Sequence, residues 1–216
     1  MSIYKFDFSS KQDIDGELLE YGWIEGNGKI VVIKAGLGGD FLGYENKYAR
    51  IAHRLNQRHG CSVLSISNPN NKRIEYFHDT KIITDFVSFL KPEKPELYFF
   101  GSSNGCVKGL EAAVAGIDFC KMVLVNMPLM INFHKTVKMI SALPKTEILA
   151  VYGDKDPSFS YTPFLKGKGE NLNVSIVSGA DHNFKGYTEE FISLSDKMLP
   201  IEPLRRTIPQ GSRNNS

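Results

Sequence analysis

With 216 residues the chain is long enough to bury one hydrophobic core, and we expect a single domain. Hydrophobic residues make up 42% and charged residues 23% of the sequence, values that exclude a fibrous or disordered protein. The net charge of +2 is spread along the chain, and only Arg205 and Arg206 approach a basic cluster, so no nucleic-acid partner is predicted.

The number and spacing of the cysteines and the hydropathy of the chain indicate the cellular compartment in which the protein is expected. The three cysteines, Cys61, Cys106 and Cys120, are odd in number and lack a C-x-x-C spacing, which disfavours a disulfide framework and a zinc site. The N-terminus lacks the basic and apolar segments of a signal peptide, and no stretch approaches the ~18 apolar residues of a membrane span. We therefore predict a soluble, cytoplasmic protein without a membrane span.

The first residues, 1–28, predict the start of a sheet. Two short strands, 4–8 and 18–26, are separated by polar turn residues, which favours an antiparallel pair.

Strands then alternate with helices along most of the chain. Apolar, β-branched runs typical of buried strands cover 29–36, 61–67, 96–101, 121–126, 147–153 and 173–179. Segments with helical spacing lie at about 44–58, 74–90, 104–116, 132–142 and 187–198. This alternation requires crossover connections and predicts an α/β fold: a three-layer α/β/α sandwich with a mainly parallel central sheet.

The domain is expected to span residues 1–199. After Pro200 the sequence loses its periodicity and gains Pro, Arg, Ser and Asn, so 200–216 is predicted to be a mobile C-terminal tail.

The segment Gly101-Ser102-Ser103-Asn104-Gly105 joins a predicted strand to a predicted helix. It matches the pattern G-x-S-x-G, in which a serine lies on a tight strand-to-helix turn and small flanking residues let the strand and the helix approach closely. Ser103 has the central position and is the predicted nucleophile, whereas Ser102 would need the glycine frame shifted by one. The positive end of the helix favours the negative charge that develops when a serine attacks.

A serine nucleophile needs a base, and the base needs an acid to orient it. Asp154 and Asp156 follow one predicted strand directly, and His182 follows the last one. Because open α/β sheets carry their sites at the carboxyl ends of the strands, we expect His182 and one of these carboxylates to meet Ser103 there. The remaining histidines lack such a setting. His53 and His59 lie on a predicted helix that ends near Gly60, where the helix dipole favours histidine, and His78 and His134 are interpreted as packed or solvated.

These motifs together resemble the α/β-hydrolase superfamily over roughly residues 29–199. The segment "GDKDP" is similar to the family pattern G-D-x-D-P, which implies that Asp156 is the acid and Asp154 a structural residue. The segment "GADHNF" is similar to G-A-D-H-x-F, which implies that His182 is the base. The neighbouring Asp181 is interpreted as a turn residue or as a group that supports the site from behind. The resemblance thus implies a small, lid-poor serine hydrolase with a Ser103, Asp156, His182 triad.

The resemblance also implies an oxyanion hole formed by the backbone N–H groups of Leu37 and Asn104. The segment "AGLGG" at 35–39 is similar to the family loop H-G-x-G-G, whose glycines let backbone amides face the substrate. Ala35 stands where the family has histidine, which removes a hydrogen bond that braces the loop.

The short segment between two predicted strands, 126–147, indicates how open the acyl pocket is. Only about twenty residues separate Asn126 from Glu147, where many relatives insert a large lid, so we expect an open site or one covered by a single short helix. We expect Met127, Leu129 and Met130 to form walls for an acyl group.

The leading prediction is a serine hydrolase that cleaves an ester or thioester of a small-molecule acyl substrate through an acyl-enzyme. No metal and no organic cofactor are implied, because the sequence has neither a ligand cluster nor a phosphate-binding loop. The same residues would serve an acyltransferase or a carrier-protein thioesterase. A non-catalytic ligand receptor on a hydrolase scaffold is the alternative from another class.

Overall fold

The computed structural model describes residues 4–14, 17–69 and 95–199. Within them one sheet has eight strands: β1 Phe8–Ile14, β2 Glu17–Ile24, β3 Asn27–Lys34, β4 Cys61–Ile66, β5 Glu96–Ser102, β6 Phe119–Val125, β7 Glu147–Gly153 and β8 Leu172–Val177. The strand order is β1-β2-β4-β3-β5-β6-β7-β8. β2 pairs antiparallel with both β1 and β4, and all the other neighbours pair parallel.

Four α-helices connect the strands in the described residues: α1 Lys47–His59, α2 Asn104–Val114, α3 Leu129–Ser141 and α4 Thr188–Ser193. Short 3₁₀ helices add Tyr44–Asn46, Phe159–Leu165 and Leu194–Lys197. None of the helices in the described part of the chain combines the length and apolarity needed to cross a membrane.

The core lies in two clusters, one on each face of the sheet. Leu97 and Phe99 of β5 pack in a cluster with residues of α2 and α3, whereas Tyr98 and Phe100 pack in a second cluster with residues of α1 and α4. Successive side chains of a strand point to opposite faces, so a continuous apolar run supplies both clusters. Helices cover both faces, and the predicted three-layer sandwich with a mainly parallel sheet is confirmed.

Element boundaries differ from the sequence prediction mainly at the first strand. The sequence predicts it at 4–8, but β1 is the polar run Phe8–Ile14. β1 is an edge strand held by its backbone pairing with β2, from Phe8 opposite Trp23 to Ile14 opposite Glu17, and hydrophobicity does not reveal such pairing. The predicted helix at 74–90, His78 and the predicted tail at 200–216 lie outside the described residues.

An ion-pair cluster anchors α1 to the chain after α4. Arg54 donates two hydrogen bonds to the carboxylate of Asp196, from Nε at 2.7 Å and from Nη2 at 2.5 Å. Arg58 donates a third, from Nη1 at 2.8 Å. The hydrogen bond from Arg54 lowers the pKa of the Asp196 carboxyl most, and the charges of both arginines lower it further.

This cluster predicts a pH-dependent contribution to stability. A carboxyl whose pKa is lowered by folding stabilises the fold above its unfolded pKa of about 3.9, and the stabilisation is lost as the pH falls through the folded value. We therefore expect Asp196→Asn to lower the melting temperature at pH 7 and to have a smaller effect at pH 3. Glu189→Gln, which removes the exposed partner of Arg50, is the matched control and should change little at either pH. Equal losses for Asp196→Asn at both pH values would contradict the assignment.

Candidate active site

Ser103 lies on the turn between β5 and α2. Its backbone has φ 51° and ψ −125°, a region that residues other than glycine rarely adopt. The strained turn is held from both sides, because the Ser103 N–H donates to the Val125 carbonyl at 2.8 Å and the Cys106 N–H donates to the Ser103 carbonyl at 3.0 Å. The turn therefore fixes the serine at the carboxyl edge of the sheet.

The flanking glycines are required by space. A Cβ on Gly105 would lie 2.4 Å from the carbonyl oxygen of Ala35, and a Cβ on Gly101 would lie 3.0 Å from the Cα of Cys106. The end of β3 and the start of α2 thus approach more closely than any side chain at Gly105 permits.

His182 contacts both Ser103 and Asp156. Its Nε2 lies 2.9 Å from Ser103 Oγ and its Nδ1 lies 2.5 Å from Asp156 Oδ2. In the neutral ring, Nδ1–H then donates to the carboxylate and Nε2 accepts from the serine hydroxyl. The Asp156 side chain is only 1% exposed, and its Oδ1 accepts the Ser158 N–H at 2.6 Å. Both carboxylate oxygens are therefore hydrogen-bonded in a buried position.

The other candidates from the sequence have structural contacts. Asp154 accepts hydrogen bonds from the Ser178 hydroxyl and the Gly179 N–H, so it holds the turn after β8 and does not contact His182. Burial raises the pKa of the Cys106 thiol, which donates to a backbone carbonyl in the core. Asp181 accepts from the backbone amides two and four residues further on.

Asn126 is a further residue of the site that the sequence analysis did not identify. It is fully buried with φ 50°, and its Nδ2 donates to the carbonyls of Asp181 at 3.0 Å and His182 at 2.9 Å. Its Oδ1 accepts the Gly153 N–H at 3.0 Å. One side chain thus joins the end of β7, which precedes Asp156, to the loop that carries His182.

The glycine loop at 36–39 is braced by Asn68, which lies just after β4. Asn68 Nδ2 donates to the Ala35 carbonyl at 3.0 Å and to Asn104 Oδ1 at 3.1 Å. Its backbone carbonyl accepts the Gly38 N–H and its own N–H donates to the Gly39 carbonyl. Asn68 therefore supplies bracing where the sequence has Ala35 in place of histidine.

Tyr48 holds the start of the same loop. Burial raises the pKa of Tyr48 to about 12, while hydrogen bonds with the Ser102 side chain and the Gly36 backbone act in the opposite direction. The phenol is thus neutral at pH 7 and packs beneath the turn.

A cavity of about 570 Å³ opens beside Ser103 and His182. Its other lining residues come from the loop at 36–48 and from Ser102 and Asn183; among them are Leu37, Asp40, Tyr44, Lys47 and Tyr48. Asn104 begins α2 next to the cavity, and the N–H of a first helical residue has no acceptor within its helix. Among the described residues, no group of three or more His, Cys, Asp or Glu side chains is arranged to hold a metal ion.

The predicted acyl walls lie elsewhere. Met127 and Leu129 are fully buried in the core cluster with α2 and α3, and Met130 is 53% exposed at the start of α3. None of the three lines the cavity beside Ser103. Met127 and Leu129 pack inward, with residues of α2 and α3, and their position in the sequence just after β6 does not show this direction.

Comparison with solved structures gives one consistent result. Est1E from Butyrivibrio proteoclasticus matches with a TM-score of 0.68 and 15% identity, over 88% of this chain and 96% of that one. An alpha-beta serine hydrolase homologue from Coxiella burnetii matches with a TM-score of 0.69 and 14% identity, over 91% and 99%. Dienelactone hydrolase from Anabaena variabilis matches with a TM-score of 0.69 and 17% identity, over 88% and 95%.

The chain has the α/β-hydrolase fold. No protein-family model matches the sequence, and no curated protein does. In an α/β-hydrolase the serine turn, the loop after β3 and the acid and histidine loops lie at one edge of the sheet. In the described residues, Ser103, the loop at 36–39, Asp156 and His182 lie together at one edge of the sheet.

The close packing at Gly105 gives a stability prediction. Gly105→Ala should destabilise the protein by about 1–3 kcal/mol, because the Ala35 carbonyl must move. Gly28→Ala is the matched control, since a Cβ there meets no atom within 4 Å, and it should be neutral or slightly stabilising. Urea unfolding of the two variants measures the difference. A Gly105→Ala protein as stable as Gly28→Ala would show that the turn relaxes freely.

Asn126 gives a prediction that separates positioning from stability. Asn126→Asp replaces a donor to two carbonyls with a carboxylate and should cost about 1–3 kcal/mol of unfolding free energy. Asn171→Asp is the matched control variant, because Asn171 Nδ2 also donates hydrogen bonds to two backbone carbonyls, those of Leu143 and Thr146, away from the site. Only Asn126→Asp should slow the reaction of Ser103 with a fluorophosphonate probe. Equal labelling of both folded variants would exclude a positioning role.

Proposed function

We propose that this protein is a serine hydrolase that cleaves a carboxylic ester or thioester through an acyl-enzyme intermediate. The observation that carries the proposal is the hydrogen-bonded chain from Ser103 Oγ through His182 to the buried Asp156 carboxylate. An unactivated serine is a weak nucleophile, and this arrangement is the one that activates it. Fold similarity to an esterase and a dienelactone hydrolase supports acyl chemistry at the site.

In the first half-reaction Ser103 Oγ attacks the carbonyl carbon while His182 Nε2 takes the hydroxyl proton. The resulting oxyanion accepts hydrogen bonds from the amides of Leu37 and Asn104, which we assign as the oxyanion hole. When the tetrahedral intermediate collapses, the bond to the leaving group breaks and His182 returns the proton to it.

The second half-reaction releases the acyl group. A water molecule gives its proton to His182 Nε2 and attacks the acyl carbon, and the Ser103 oxygen leaves as the protonated hydroxyl. Asp156 stays ionised throughout, stabilises the imidazolium and keeps the proton on Nδ1. The hydrogen bond from Ser158 N–H to Asp156 Oδ1 holds the carboxylate in the orientation that this role needs.

The experiment is a panel of activated acyl esters and thioesters of increasing chain length, with the purified protein. We expect a burst of leaving group followed by steady hydrolysis, with short acyl chains favoured in a cavity of about 570 Å³. Adding a competing alcohol or amine tests for transfer, since an acyltransferase would give mainly the non-hydrolytic product. A folded protein that neither turns over any ester nor reacts with a fluorophosphonate would overturn the proposal in favour of a receptor.

The two aspartates should differ in their effect on rate. Asp156→Asn favours the wrong imidazole tautomer and should lower kcat by about 10⁴. Asp154→Asn is the matched control, and it should lose about 0.5–2 kcal/mol of stability while keeping most of its activity, because Asp154 holds only a turn. The two effects are measured for each variant as kcat on one activated ester and as the melting temperature.

Ser103→Ala should abolish acylation, and adding Asp156→Asn should cost little more, since members of one catalytic unit are not additive. If Asp154→Asn lost its activity while Asp156→Asn stayed active, the catalytic acid would be Asp154 and not Asp156.

A further inference from the structure

Lys47 is the one cationic side chain in the lining of the cavity beside Ser103 within the described residues, apart from the titratable His182. It is the first residue of α1, and its Nζ lies 4.2 Å from the ring centroid of Phe191 and 5.4 Å from that of Tyr48. Contacts of this kind favour the charged ammonium and keep it beside the rings. The position is therefore fixed by packing and is not that of a freely moving surface lysine.

The contacts of the Lys47 ammonium are with aromatic rings. Across 4–14, 17–69 and 95–199 its only recorded contacts are the two rings, without a hydrogen-bond acceptor or an ion-paired carboxylate. Burial lowers the pKa of Lys47, and the negative charge of Asp181 opposes that effect. The start of a helix also disfavours a cation. An anion bound in the cavity relieves both unfavourable effects.

The nearby carboxylates are engaged elsewhere. Asp40 accepts the N–H groups of Leu42 and Gly43, and Asp181 accepts two amides of its own loop. Glu45 accepts the hydroxyl of Thr188. Each therefore has its own hydrogen-bond donors and leaves the ammonium without an ion pair.

We propose that Lys47 binds a carboxylate on the substrate, so that the preferred substrate is an acyl ester or thioester bearing a single negative charge. This inference rests on the proposed function, because it places the anion in the cavity where the acyl-enzyme forms. A monovalent carboxylate matches one ammonium, whereas a phosphate dianion would leave charge unbalanced. Lys47 is thus assigned as a specificity-determining residue with no part in bond making.

The test compares two 4-nitrophenyl esters of similar size, neutral 4-nitrophenyl butyrate and anionic mono-4-nitrophenyl succinate. The protein should have the higher kcat/KM for the succinate ester. Lys47→Met keeps the apolar stem and removes the charge, and it should lower the ratio of kcat/KM for the succinate ester to that for the butyrate ester by at least about 10-fold, mainly through the KM of the succinate ester. Lys155→Met, which removes an exposed lysine outside the cavity lining, is the matched control and should keep the preference.

A stability measurement checks the fold independently of activity. Because burial disfavours the Lys47 charge and methionine keeps the apolar contacts of the stem, Lys47→Met should melt at a temperature close to that of the parent protein. Lys47→Gln provides a second neutral variant should the methionine variant not fold, and it must lose the same preference.

Ligand binding to the inactive Ser103→Ala variant tests the anion site at Lys47 separately from the hydrolase proposal. Monoethyl succinate should bind this inactive variant, and the additional Lys47→Met change should weaken binding by about 10-fold or more. Hydrolysis of butyrate without any preference for succinate would overturn the Lys47 proposal and leave the hydrolase intact. Binding that depends on Lys47, without turnover of any ester, would instead support the anion site and overturn the hydrolase. Binding of monoethyl succinate unaffected by Lys47→Met would overturn the anion site.

Discussion

Two consecutive residues at the end of β6 connect the three loops of the site. The Val125 carbonyl accepts the Ser103 N–H, and the Asn126 N–H donates to the Val151 carbonyl of β7. The Asn126 side chain then holds Gly153 N–H on one side and the carbonyls of Asp181 and His182 on the other. Every polar group of this buried amide is used, and losing any of these bonds would leave a buried group unsatisfied. The relative positions of Ser103, Asp156 and His182 therefore depend on a strand end that contributes no group to the chemistry.

The loop beside Ser103 is held by different residues. Asn68 donates hydrogen bonds to the Ala35 carbonyl, just before the loop, and to the side chain of Asn104 at the start of α2. The Tyr48 hydroxyl is hydrogen-bonded to the backbone of Gly36. Two polar groups, one just after β4 and one in α1, thus brace the loop that has Ala35 where the pattern has histidine. Preorganised amides are effective because they need no reorganisation when charge develops, so the source of the bracing matters less than its rigidity.

Sequence patterns predicted the features that depend on local order. The β5 run "LYFFG" supplies both core clusters by strand alternation, and the glycines around Ser103 mark a turn that no other residue fits. The roles of Asn126 and Asn68 were not predicted, because a single asparagine matches no sequence motif and the hydrogen-bond partners of these two residues lie up to 56 residues away in the chain. For the same reason the inward packing of Met127 and Leu129 was not predicted: the direction in which these side chains pack depends on α2, which the local pattern does not include.

The position of the cavity bears on how substrate preference can change in this fold. Met127 and Leu129 lie in the core, and the cavity beside Ser103 is bounded instead by the loop after β3 and by the start of α1. That loop has positive φ angles at Gly38, Gly43, Glu45 and Asn46 and makes no contact that orients His182 or Asp156. The far part of α1 is fixed independently by Arg54 and Arg58 on Asp196. Substitutions in 40–47 can therefore alter the charge and shape of the cavity while Ser103, His182 and Asp156 keep their geometry.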